Sequence, residues 1–126
     1  MRQLQSDGAP RPMGPYSQAV ETGGTIFVSG QIPVDPVTGD ICRKDIKAQT
    51  EMVIDHAENI LQAAGLGLEH VVKAEIFLTD PGDLALMNEV YSSRFSGKIR
   101  PARSVVGVSF LPKGAMIEFA CVARSD

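Results

Sequence analysis

The chain has 126 residues, of which 44% are hydrophobic and 21% charged, a length that holds one core of ordinary size. Twelve Lys and Arg against fifteen Asp and Glu leave a net charge of −3, which speaks against duplex nucleic acid as the main partner. No apolar run is long enough to span a membrane, so the expectation is a soluble, cytoplasmic, single-domain protein over residues 1–126.

Residues 1–14 are polar and contain Gly8, Pro10, Pro12 and Gly14. They lack the apolar stretch of a signal peptide and predict an N-terminal arm, partly ordered at best. Two short β-prone runs follow, Ala19–Thr22 and Thr25–Ser29. Gly23-Gly24 between them suits the positive φ angles of a two-residue hairpin. Gln31 to Arg43 carries Pro33, Asp35-Pro36 and Thr38-Gly39-Asp40, a loop with a tight turn at its tip. A helix is predicted from Ile46 to Ala64, with Asp45 as N-cap and Gly65 just past its end. Ile46, Val53, Ala57, Ile60, Leu61 and Ala64 form its buried stripe.

His70 to Thr79 reads as a strand with Val72, Ala74, Ile76 and Leu78 on one face and Val71, Lys73, Glu75 and Phe77 on the other. Asp80-Pro81 opens a second helix, whose stripe is Leu84, Met87, Tyr91 and Phe95. Two last strands, Arg103–Phe110 and Ala115–Ala123, are joined by Leu111–Gly114. The order is ββαβαββ, an α+β domain with two helices on one face of a mainly antiparallel sheet. Both faces of the final strand are apolar: Ile117, Phe119, Cys121 and Ala123 alternate with Met116, Glu118, Ala120 and Val122. Two helices cover one face, so the other is expected to be covered by further copies of the chain in a closed oligomer.

Glu118 is the odd residue on that second face. A carboxylate between Met116 and Ala120 is either a structural ion pair or a group with a raised pKa and a chemical task. A hairpin across Leu111–Gly114 sets Phe110 opposite Ala115 and Gly107 opposite Glu118. Arg103 shares the parity of Gly107 and would leave the sheet on the face of Glu118, about 13 Å along it. The planar guanidinium suits bidentate capture of a carboxylate, with Glu118 placed to move a proton or orient water. Tyr16, Ser29 and Gly30 offer hydroxyls and a backbone open to close approach. Asn88 is either a polar contact or an exposed helix residue. His56 and His70 have no Cys or Ser partner and read as packing or solvated groups; two Cys and two His fit no zinc motif, and Cys42 and Cys121 read as separate thiols.

Several segments together resemble one family: Gly14-Pro15-Tyr16-Ser17-Gln18-Ala19, Val28-Ser29-Gly30-Gln31-Ile32-Pro33, Asn59 to Gly65, Val72-Lys73 with Phe77-Leu78-Thr79-Asp80, Met87-Asn88-Glu89-Val90-Tyr91, and Pro101-Ala102-Arg103-Ser104 with Leu111-Pro112-Lys113-Gly114 and Ile117-Glu118. From Gly14 to Ala123 the chain resembles the RidA (YjgF/UK-type) family, the 2-iminobutanoate/2-iminopropanoate deaminases. The resemblance implies a chorismate-mutase-like fold and a homotrimer with clefts between subunits. It implies hydrolysis of reactive enamines and imines, released by pyridoxal-phosphate enzymes, to 2-oxo acids and ammonia, with no metal or organic cofactor.

Carried over, Arg103 grips the substrate carboxylate and Glu118 positions or activates water. Tyr16, Ser29 and Asn88 line the cleft, and Gly30 contributes backbone. Many members have Cys where this chain has Val105; the contact there is largely backbone, which Val preserves. The competing readings are a non-catalytic binder of small carboxylates and an endoribonuclease or translation inhibitor. The acidic charge weakens the last. Chorismate-mutase activity rests on fold alone.

Overall fold

A computed structural model describes residues 1–126. Six strands form one sheet: β1 (Arg2–Leu4), β2 (Ala19–Thr22), β3 (Thr25–Gln31), β4 (Val71–Leu78), β5 (Ala102–Gly107) and β6 (Ile117–Arg124). Two helices, α1 (Ile46–Gln62) and α2 (Leu84–Arg94), lie on one face. The sheet order is β1-β2-β3-β6-β4-β5, antiparallel except for the parallel pair β4–β5. This is the expected α+β architecture. No helix is long and apolar enough to cross a membrane.

Local chemistry explains most boundaries. Gly23 and Gly24 turn the β2–β3 hairpin at φ +56° and +80°. The Asp45 carboxylate accepts the Ala48 N–H at 3.0 Å and starts α1. At the far end Gly65, at φ +74°, lets the Leu66 N–H return to the Leu61 carbonyl. Ile46, Val53, Ala57, Ile60 and Leu61 are buried as their spacing required, against Ile26, Ala74, Ile117 and Phe119 from the sheet.

Four expectations are corrected. Part of the N-terminal arm is a strand, β1, and residues 6–10 are pinned by Gln18, whose amide takes the Ser6 N–H and donates to the Ser6, Ala9 and Pro10 carbonyls. Asn59 of α1 adds a hydrogen bond to the Gly8 carbonyl. In β4 a register shift between Val71 and Lys73 turns Val71 into the core and leaves Val72 exposed. Leu84 does not join the buried side of α2, which is Met87, Val90 and Tyr91, with buried Phe95 at the C-cap. Finally, β5 and β6 form no hairpin, because β4 lies between them and β5 runs parallel to it at the sheet edge.

The face away from the helices is paved by cross-strand rows. Glu118, Phe77 and Val106 form one, Ala120, Glu75 and Ser104 the next, and Val122, Lys73 and Ala102 a third. Phe27 continues the last row and is half exposed. Both helices are spent on the opposite face; Phe77 packs against a small second cluster of Ile32, Val34, Leu111 and Ala115, while Phe27 and Val106 stay about half exposed within one chain.

Candidate active site

The β4–β5 register decides where Arg103 points. Arg103 sits opposite Ala74, which sits opposite Cys121, and both are buried on the helix side. Glu118 is three residues from Cys121 along β6 and faces the other way. Arg103 and Glu118 therefore leave the sheet on opposite faces, and the expected shared face within one chain is corrected: that expectation assumed a β5–β6 hairpin.

On the helix side α2 supplies the surroundings of Arg103. Its Nη1 donates to Asn88 Oδ1 at 2.7 Å, and its guanidinium lies 4.7 Å from the Tyr91 ring centroid. Asn88 and Tyr91 are three residues apart and share one side of the helix. Val105, two residues along β5, packs against the core on the same face. No carboxylate of the chain pairs with Arg103 of β5, whereas Arg94 of α2 holds Glu51, Asp55 and Glu58.

On the other face Glu118 stands beside a β-bulge. Val28 pairs with Cys121 and Gln31 with Phe119, so Ser29 and Gly30 are both accommodated opposite Ala120. A Cβ on Gly30 would overlap the Glu118 carboxylate, so only glycine admits that close approach. Glu118 is half-buried and makes no ion pair; burial alone raises its pKa above the usual glutamate value of 4.5. The structural ion pair weighed for it is absent from the chain. Ser29 Oγ donates to the Ser17 carbonyl at 2.6 Å and so fixes the segment bearing Tyr16. The Tyr16 hydroxyl accepts the Met13 N–H at 3.3 Å, and the side chain is half exposed.

The seven candidates thus form two groups: Arg103, Asn88 and Val105 by α2, and Glu118, Gly30, Ser29 and Tyr16 at the bulge. The sizeable concavities of the chain lie elsewhere: about 600 Å³ beside Phe95 and Pro101, about 770 Å³ under the N-terminal arm, and about 610 Å³ between the loop around Ile41 and α1. His56 is a buried packing group, its Nε2 2.8 Å from the Val34 carbonyl, and burial lowers its pKa. His70 Nδ1 accepts the Gly67 N–H. Cys42 and Cys121 are unpaired, and burial pushes the Cys121 thiol up to about 12. Tyr91 was legible only as an apolar stripe residue; its place under Arg103 depends on the parallel pairing of β5, for which the sequence carries no local signal.

The endoribonuclease L-PSP family model matches residues 6–125, and the chain belongs to that family. Within it the likeness is to the RutC, YjgF and Rid proteins. A RutC family protein of Pyrococcus abyssi is 52% identical over 121 residues, 96% of this chain and 94% of that one. E. coli TdcF, solved with bound serine, superposes with a TM-score of 0.95 at 37% identity, covering all of both chains. RidA of an Antarctic Psychrobacter superposes with a TM-score of 0.93 at 40% identity, over 98% of this chain and 99% of that one.

Proposed function

We propose that this protein hydrolyses small 2-imino acids, such as 2-iminopropanoate and 2-iminobutanoate, to 2-oxo acids and ammonia, at clefts formed between copies of the chain in a homotrimer. The observation that carries the reading is the division of the site. An arginine without a carboxylate partner lies by the helix face of an edge strand, and a half-buried carboxylate without a cation lies on the uncovered face. Neither half is a site alone. The edge of one copy laid against the uncovered face of the next brings Arg103 to Glu118 and covers the apolar rows.

In that cleft the free edge of the Arg103 fork takes the substrate carboxylate, since Nη1 is already held by Asn88. Glu118, ionised, accepts a proton from water as it adds to the C=N carbon. Glu118 hands that proton to the imine nitrogen, giving a carbinolamine; it then carries the hydroxyl proton to the same nitrogen, the C–N bond breaks, and ammonia leaves a 2-oxo acid with Glu118 ionised again. The imine is intrinsically labile, so holding the anion and ordering one water suffices. The Rid and TdcF likenesses support the reading, the latter because that relative was solved with bound serine, a small amino acid.

The test couples the protein to a threonine dehydratase and follows 2-oxobutanoate release beside a scavenger of free imine. Arg103→Ala is expected to remove the acceleration and leave the oligomer intact; full activity in that variant overturns the assignment. Binding of 2-oxobutanoate with no turnover of any imine would favour a carboxylate-binding regulator instead.

A further inference from the structure

Arg103 stands on an edge strand and is solvent-exposed, where a long side chain has many rotamers. Its position is nevertheless defined by α2. Tyr91, 95% buried, is anchored by stacking on Phe95 at 4.5 Å between centroids, and Phe95 stacks in turn on Phe119 of β6 at 6.0 Å. The guanidinium lies over this fixed ring while Asn88 takes one of its N–H groups. The Tyr91 hydroxyl is buried with no hydrogen-bond partner, so the packing makes no use of the one polar atom that separates Tyr from Phe. Burial raises the phenol pKa, so the ring is the neutral form.

We infer that Tyr91 is a positioning residue: its ring face holds the Arg103 guanidinium in plane for the substrate carboxylate, and its hydroxyl takes no part. The inference rests on the reading of Arg103 as the carboxylate clamp. A cation held over an aromatic face is attracted by the ring quadrupole, and a pre-set fork loses less freedom on binding. The ring therefore acts on substrate affinity, not on the proton transfer at Glu118.

The test compares wild type, Tyr91→Phe and Tyr91→Leu in calorimetric binding of 2-oxobutanoate and in imine turnover. The Phe variant keeps the ring and is expected to match wild type within about twofold, with no loss of thermal stability, since it removes only an unsatisfied hydroxyl. The Leu variant keeps apolar bulk and is expected to lose about tenfold in Kd and KM, with kcat little changed. The Arg103 Nε–H resonance, assigned by its absence in Arg103→Ala, is expected to be ring-current shifted in wild type and Phe and unshifted in Leu. Binding by the Leu variant at wild-type strength, or an equal fall in Phe and Leu, overturns the inference. Should Leu fail to fold, an unshifted Arg103 signal in wild type overturns it and a shifted one in both wild type and Phe supports it. A wild type that does not bind 2-oxobutanoate overturns the clamp reading and the role of Tyr91 with it.

Discussion

Within one chain Glu118 is held among apolar neighbours with no cation near, and its pKa is raised by burial. The folded state therefore keeps the proton to higher pH than the unfolded chain does. Its contribution to stability is present below the usual glutamate range and is lost as pH rises through the displaced pKa. Glu118→Gln should accordingly gain thermal stability over wild type at neutral pH and show no such advantage at pH 4, a comparison made by melting both at several pH values. The same variant should lose the rising limb of the pH–rate profile and about a hundredfold or more in kcat. Equal melting curves at all pH values would show that burial does not bear on this carboxylate. Arg103 was legible from residue type and Tyr91 was not: a guanidinium announces its chemistry in the sequence, whereas an aromatic in a helical stripe reads the same whether it fills the core or carries a cation.

Among the elements, the β3 bulge has the sharpest consequence. It lets Ser29 and Gly30 share the place of one residue, so that Ser29 ties down the Tyr16 segment and Gly30 meets Glu118. Gly30 is not in the left-handed region, so alanine is allowed by the backbone and excluded only by the carboxylate. Gly30→Ala is expected to displace Glu118 and cost about a hundredfold in kcat, with the far-ultraviolet circular dichroism unchanged. Wild-type turnover in Gly30→Ala would mean that Glu118 does not act from that position. Caps and turns at Asp45, Gly65 and Gly23-Gly24 were readable because each depends on a residue and its immediate neighbours. The burial of Val71 in place of Val72 was not, because one shifted residue inverts an alternation and only the partner strand records the shift.

At the scale of the whole molecule, one sheet face is occupied by α1 and α2 and the other presents Phe27, Phe77, Val106, Ala120 and Val122 around Glu118. The proposed assembly covers this face and joins the two half-sites in one event. Phe27→Asp and Val106→Asp place an unpaired charge in that contact. Each is expected to yield a monomer by light scattering, with native helix content and no imine turnover. A fully active monomer would show that one chain holds a complete site and would remove the need for the cleft.

The sequence by itself determined the two helices, the β2–β3 hairpin, the alternation of β6 and of β4 from Lys73 onward, and the presence of a second apolar sheet face, because period and capping are local properties. It also singled out Arg103 and Glu118, because a charge in an apolar strand is visible in one dimension. The tertiary structure alone decided which strand lies beside which. A two-residue alternation fixes that a strand has two faces, not which neighbour it pairs with, and inserting β4 between β5 and β6 sends Arg103 to the helices and Glu118 to the open face. The residue types of the candidate site were readable in one dimension; their division between two faces followed from hydrogen bonds between strands far apart in sequence.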